Sequence, residues 1–360
     1  MQQVLGIIFH FIGGVASGSF YVPYKKVKGW SWETFWLTGG LFSWLIVPPI
    51  AAWITVPGFS TIIAEASFDT LFWTFFWGML WGIGGLMYGL GMRYLGMSLG
   101  NSVLLGFTSA FGALAPPIYY DIANVPGKTT FTELISTNWG IVILIGVLLC
   151  LLGIYICGKA GYMKENELPE EKKKESVKEF NLKKGLVICI LSGILSAGFN
   201  YGIEAGAPMA DVANEAWKTA NPSETINFLY KNNVIYIVLL WGGLTINLVW
   251  CLILAVRNKS LGDYTNRKTP LVRNYFFCAL AGTTWFLQYY FYGMGESKLG
   301  NGSSSWILHM AFIILVANLW GFALKEWNGV SKKTRNTIIF GIFMIILAVV
   351  VVGYGNSLHK

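Results

Sequence analysis

Apolar runs of about 20 residues, each enough to cross a bilayer core of about 30 Å, recur along the whole chain with short connections between them. They leave no stretch from which a sizeable water-soluble domain can be built. The pattern predicts an all-α integral membrane protein of ten transmembrane helices. They are expected at roughly 4–22, 34–54, 70–92, 97–119, 138–157, 184–203, 233–256, 273–294, 303–323 and 337–355. Composition agrees, with 54% hydrophobic and only 12% charged residues, about half the charge of an average soluble domain. The N-terminal MQQVLGIIFHFIGG lacks the basic region of a cleavable signal, so the first helix is expected to be retained. Cys150, Cys157, Cys189, Cys251 and Cys278 lie within or at the edge of apolar runs without metal-type spacing, and read as packing residues. No metal site is expected.

The net charge of +8 is a statement about topology rather than about nucleic acid, because Lys and Arg sit in loops instead of forming a basic face on a folded domain. Odd-numbered loops hold 21 of the 26 Lys and Arg residues, which makes those loops cytoplasmic and turns both termini outward. The longest charged segment, 159–183, alternates Lys and Glu in blocks around Pro169. It reads as a solvated linker between a first five-helix repeat, 1–158, and a second, 184–360. Five spans per half turn the second half upside down relative to the first, the inverted-repeat plan of secondary transporters.

Internal echoes support two related halves. Tyr88, Gly89, Gly91, Leu95 and Gly96 recur without a gap as Tyr292, Gly293, Gly295, Leu299 and Gly300. The GGL at Gly39 to Leu41 recurs at Gly242 to Leu244, and Gly14, Ser17 and Phe20 are matched by Gly193, Ser196 and Phe199. Glycines this dense in the Trp81 to Asn101 stretch are expected to let the third and fourth spans approach closely, with Arg93 at the cytoplasmic end.

A transporter needs a polar site near the midplane, and ionisable residues placed there are costly enough to suggest a role. His10 and His309 each fall about seven residues into a span, and a histidine titrates where a proton can be taken up on one side and released on the other. The plain alternative is a helix-packing histidine bonded to a neighbouring carbonyl. Polar and aromatic stripes at helical spacing accompany them: Ser17 in the first span, Asn200 in the sixth, Trp285, Gln288, Tyr289 and Tyr292 in the eighth, and Ser305 and Trp306 in the ninth, with Asn247 inside the seventh. A sugar suits such a lining, since hydroxyls want amide, imidazole and hydroxyl partners while C–H faces pack on rings. Helix association by small and polar residues is the competing account, and for Trp306 a lipid-facing ring is the alternative. Glu33, Arg93, Lys325 and Glu326 fall at cytoplasmic span ends; with Lys25 and Lys26 they are candidates to close an inner gate, and Glu33 is a second candidate for proton coupling. Glu204 and Glu296 end spans on the outer side. No GxxxxGK[ST] loop, HExxH or paired Asp-rich motif is present, which leaves ion-driven transport without a cofactor rather than ATP-driven pumping or membrane enzymology.

Five motifs carry a resemblance: FYVPYKKVKGWSWET from Phe20 to Thr34, WGIGGLMYGLGMRYLGMSLG from Trp81 to Gly100, EFNLKKGL from Glu179 to Leu186, SWILHM from Ser305 to Met310, and LKEWN ending at Asn328. Over nearly the whole chain they resemble the L-rhamnose/proton symporters of bacterial inner membranes, members of the drug/metabolite transporter superfamily. The resemblance implies ten helices in two inverted repeats and uptake of L-rhamnose, or a related sugar, with a proton. His10, Lys25, Lys26, Glu33, Arg93, Asn247, Gln288, Trp306, His309 and Glu326 stand at positions matching the family pattern, whereas Glu204 and Glu296 depart from it. The segment from Ala205 to Asn232, expected as a long outer connection, also departs. The rival readings are an exporter of amphipathic metabolites or drugs from the same superfamily, and an integral-membrane enzyme or sensor. The expected partners are the sugar and the lipid bilayer, with no nucleic acid and no obligatory protein.

Overall fold

The computed structural model describes residues 2–95, 97–167, 181–224, 226–323 and 327–358, leaving aside the side chains of residues 92, 93, 97–99, 101, 102, 165 and 182. Every regular element among them is helical. The first half comprises α1 (Gln2–Ser19), α2 (Tyr21–Tyr24), α3 (Trp32–Gly40), a π-helical segment (Leu41–Ile46), α4 (Val47–Thr55), α5 (Phe59–Glu65), α6 (Phe68–Leu95), α7 (Met97–Ala123), α8 (Phe131–Ser136) and α9 (Asn138–Glu167). The second comprises α10 (Leu182–Ser196), α11 (Gly198–Ala220), α12 (Asn233–Arg257), a 3-10 turn (Leu261–Thr265), α13 (Leu271–Leu299), α14 (Gly302–Ala323) and α15 (Lys332–Leu358).

Nine helical stretches among the described residues are long and apolar enough to cross a membrane. The expected eighth span is also a helix, α13, of 29 residues. It falls outside the nine because the Trp, Tyr and Gln side chains that make it a candidate lining helix are themselves poorly hydropathic. The segment after the sixth span differs from expectation. Instead of an outer connection from Ala205, α11 continues to Ala220. Its alanines favour the helix, and Gly206, Met209, Ala210, Ala213 and Asn214 are buried at three- and four-residue intervals, one apolar face of an amphipathic helix. The Asn214 carboxamide oxygen then accepts the Phe228 N–H at 2.7 Å.

The chain forms two compact units, each drawn from both halves of the sequence. One comprises Met1–Gly14, Gly84–Ala197 and Leu299–Lys360; the other comprises Val15–Ile83 and Gly198–Lys298. In the first, α9 and α15 lie side by side over a core that includes Ile143, Val147, Cys150, Ile154, Ile338, Ile345 and Val352. Small residues set that approach: a Cβ added at Gly153 would stand 2.8 Å from the Ile345 side chain, and one at Gly341 would stand 2.9 Å from the Cys157 nitrogen. Gly14 of α1 closes on Phe312 of α14, and Gly193 of α10 closes on the Leu104 carbonyl of α7. In the second unit, a Cβ on Gly78 would collide with the Leu239 carbonyl oxygen and one on Gly242 with that of Phe75, so α6 and α12 cross backbone to backbone. The same holds for Gly282 against the Gly39 carbonyl, where α13 crosses α3.

These contacts revise the partners expected for the glycine-rich stretch. Gly82 meets Gly243 and Ile246 of α12, while Gly84 meets Ser192 and Ser196, and Gly91 meets Cys189, all on α10. Gly85 and Gly89 have no atom within 4 Å of a built Cβ. These glycines thus meet the sixth and seventh expected spans, while Leu95 and Tyr88 of the same stretch share a hydrophobic cluster with Leu104 of the fourth and Cys189 of the sixth.

The α9 and α15 pair is also tied at one end. Glu167 accepts hydrogen bonds from the Thr334 hydroxyl at 2.6 Å, the Ser331 N–H at 2.6 Å and the Ser331 hydroxyl at 2.7 Å. It thus serves the start of α15 from another helix. These donors hold its carboxyl below the usual carboxylate range. A depressed folded-state value contributes stability above the ordinary carboxylate range of about 4.3, and that contribution is lost as pH falls through the lowered value. Glu167→Gln is accordingly expected to lower the melting temperature of the detergent-purified protein slightly at pH of about 7. The difference from wild type should close as the pH is taken below about 4; a difference independent of pH would disprove the charge-assisted cap.

Candidate functional site

The unit built from Val15–Ile83 and Gly198–Lys298 gathers a cluster of aromatic rings. Trp285 of α13 lies 4.1 Å from Phe20 and 5.2 Å from Trp36, centroid to centroid. Trp44, 1% exposed, stands 6.1 Å from Trp285, 6.2 Å from Trp36 and 6.2 Å from Trp81. Tyr289 completes the cluster, stacked at 4.2 Å on Phe199 and 6.1 Å from Trp81. Local backbone makes room for these rings. Trp44 sits in the π-helical segment and lies back on Gly40, and the Trp81 ring lies over Gly243; a Cβ at either glycine would collide with the indole.

Hydrogen bonds fix most of the polar atoms. Trp36 Nε1 donates to Asn247 Oδ1 at 2.9 Å, while Asn247 Nδ2 donates to the Gly243 carbonyl at 2.9 Å, so this amide is spent on bracing α3 against α12. Trp285 Nε1 donates to the Tyr289 hydroxyl at 2.9 Å, and the Tyr292 hydroxyl donates to Asn200 Oδ1 at 3.4 Å. Three polar groups are left over. Gln288 is 5% exposed and makes no hydrogen bond among the described residues. The Trp44 Nε1 and the Ser43 hydroxyl, both in the π-helical segment, are buried without a partner among them. Buried donors and acceptors are normally satisfied, and π-helical turns gather at functional sites. The rings therefore form a packed aromatic cluster with a few unspent polar groups at its side, residue types that suit a small-molecule site.

The other unit brings His10 and His309 together. Both are buried, with ring centroids 5.9 Å apart and an edge-on angle of 63°. The approach follows from Gly14: its close contact with Phe312 locks α1 to α14, and His10 and His309 each lie about one turn before that contact. Trp306, also in this unit, is 3% exposed, and its Nε1 donates to the Thr108 carbonyl at 2.9 Å with the ring over Gly112. It braces α14 against α7 and does not face lipid.

Lys25 and Lys26 are exposed after α2, Glu326 lies outside the described residues, and for Arg93 only the backbone, within α6, is described. Glu33 is 4% exposed and accepts from the Ser260 hydroxyl at 2.6 Å and from Asn258 Nδ2 at 3.1 Å. Next to it Asp263 accepts from the Ser31 N–H at 2.8 Å and the Thr34 hydroxyl at 3.0 Å. Two acids thus pin the turn after α12 onto the start of α3. Ser17 is half-buried on α1. Glu296 accepts a hydrogen bond from Asn232.

Sequence reasoning missed Trp36, Trp44, Trp81 and Ser43. The signal was available in the tryptophans, because Trp favours membrane interfaces while Trp44 falls near the middle of the expected second span.

The helices and this gathered polar interior define a multi-pass, all-helical membrane protein. A family model described as "L-rhamnose-proton symport protein (RhaT)" matches residues 1–358. Proteins named L-rhamnose-proton symporter from Yersinia pestis (strain Pestoides F) and Yersinia pseudotuberculosis (serotype O:3, strain YPIII) are 39% identical to it over 359 residues, covering 98% of each chain. The chain belongs to the L-rhamnose-proton symport protein family.

Proposed function

We propose that the chain takes up L-rhamnose, or a closely related sugar, together with a proton across a bacterial inner membrane by alternating access. The observation that carries the sugar assignment is the aromatic cluster with its unspent Gln288, Trp44 and Ser43 groups. Ring faces accept the C–H faces of a sugar, and the unspent groups accept its hydroxyls. The names and extent of the relatives support L-rhamnose as the sugar. The His10 and His309 pair carries the proton in this reading, since imidazole is the side chain whose ordinary protonation falls nearest neutral pH.

Ten spans in two inverted repeats, 1–158 and 184–360 joined by 159–183, belong to the same proposal, as do outward-facing termini. Equivalent contacts support it. Gly14 meets the ninth span and its counterpart Gly193 meets the fourth. Gly282 meets Gly39 as Gly78 meets the neighbourhood of Gly242, so these two crossings between the halves join repeat-related spans. The chain also passes between its two units within the first, third and sixth spans and just after the eighth, so that the crossings fall at corresponding spans of the two halves. Lys25, Lys26, Arg93 and Glu326 remain the proposed cytoplasmic gate.

The test is uptake of labelled L-rhamnose into proteoliposomes under an imposed pH gradient. Accumulation that collapses with an uncoupler is expected; none, or accumulation indifferent to the uncoupler, overturns symport, and binding that prefers amphipathic cations over the sugar points to export instead. Gln288→Leu should raise the half-saturating sugar concentration about tenfold. Because Gln288 makes no hydrogen bond among the described residues, the sugar-free melting temperature should hardly move. An unchanged affinity in that variant removes Gln288 from the site.

A further inference from the structure

A shallow, open surface groove lies at the start of α13, lined by Arg267, Thr269, Pro270, Val272, Arg273 and Phe276 among others. We propose that it holds the headgroup of an anionic phospholipid, whose acyl chain lies along α13. This does not depend on the sugar or on proton coupling.

Three features converge on that occupant. Two guanidinium groups, Arg267 and Arg273, stand on the groove, with exposed Lys268 beside them in sequence, and among the described residues no carboxylate lines it. The Arg273 guanidinium lies 5.7 Å from the centre of the Phe277 ring, which steadies its head. The hydrogen-bond ladder of α13 begins with the Asn274 N–H and the Pro270 carbonyl, so the N–H groups of Val272 and Arg273 emerge at the positive end of the helix. Thirdly, the groove continues into an apolar stripe. Val272 is 86% exposed, Phe276 61% and Leu280 42%, each four residues after the last and therefore on one helix face.

A free phosphate would engage the cationic end and leave this stripe untouched, whereas a zwitterionic lipid would cover the stripe and gain little from two arginines. An anionic phospholipid matches both ends. Basic pockets beside membrane helices recognise such headgroups, and each Lys or Arg near an anionic surface contributes about 1 kcal/mol.

The experiment titrates the purified full-length protein in detergent with phosphatidylglycerol, phosphatidylcholine or inorganic phosphate, reading bound lipid by native mass spectrometry and stability by thermal melting. Phosphatidylglycerol is expected to bind and to raise the melting temperature well above either control. Affinity should fall roughly fivefold for Arg267→Gln or Arg273→Gln and about 30-fold for both together. Arg257→Gln with Lys259→Gln, an equal change of charge close by in the chain, should leave affinity within about twofold. Equal binding of phosphatidylcholine, protection by phosphate alone, an unaffected double variant, or an equal loss in the Arg257 and Lys259 variant would each overturn the site. If Arg273→Gln lowers the lipid-free melting temperature, Arg267→Gln alone decides, because the exposed Arg267 side chain makes no hydrogen bond among the described residues.

Discussion

Proteoliposomes carrying His309→Asn are expected to exchange labelled for unlabelled L-rhamnose yet fail to accumulate it under an imposed pH gradient. Asparagine keeps a polar side chain of similar reach but cannot be protonated near neutral pH, so it separates a carrier that binds sugar from one that couples sugar to protons. Uphill transport should be lost, since without the intact pair of titrating rings the gradient loses its hold on the conformational equilibrium. His10→Asn tests the other ring, 5.9 Å away. If the proton belongs to the pair, either replacement should flatten the pH dependence of uptake between about 5 and 8. Exchange that persists in both variants shows that they are folded, and full accumulation by His309→Asn would clear that residue of coupling.

The second large effect is structural and has an internal control. Gly242→Leu places a side chain where even a Cβ would collide with the Phe75 carbonyl oxygen. Two backbones cannot retreat as a flexible side chain does, so the cost should exceed the ~1–3 kcal/mol of ordinary overpacking and most of the monodisperse protein should be lost. Gly85→Ala, in the same glycine-rich neighbourhood, should do the reverse. Nothing lies within 4 Å of its added methyl, and removing a glycine from a helix typically stabilises by ~0.4–1 kcal/mol. Purification yield and melting temperature measure both; equal tolerance of the two changes would contradict the crossing of α6 and α12.

That contrast also marks how far the sequence could be read. Helices fill each of the expected spans because hydrophobic runs set by bilayer thickness are hard to miss, and most ends differ by a few residues, the exceptions being α9, which runs on to Glu167, and α11, which runs on to Ala220. Glycine density correctly announced close approach, but a missing side chain carries no information about what fills the space. Gly84 and Gly91 therefore gave no hint of α10. His10 and His309 were legible as rare ionisable groups within spans; their meeting was not, because it depends on the Gly14 and Phe312 contact between helices about 300 residues apart. Asn247 looked like an available amide, and only its two hydrogen bonds reveal that it is spent. The helix beyond Ala205 was hidden by Gly206 and Pro208, which suggest a connection, although its buried face repeats at helical intervals.

The π-helical segment Leu41–Ile46 has a consequence for any projection of this membrane span onto a wheel. An α-helix turns about 100° per residue, while a stretch closed by i to i+5 bonds holds about one residue more per turn. Everything after Ile46 is thus out of phase with everything before Leu41 by about one residue, or roughly 100°. Trp36 and a residue of α4 that share a stripe on paper therefore point in different directions in space. The GGL that recurs at Gly242 to Leu244 lies in uninterrupted α-helix, so the two echoes carry the same letters with different angular phase downstream.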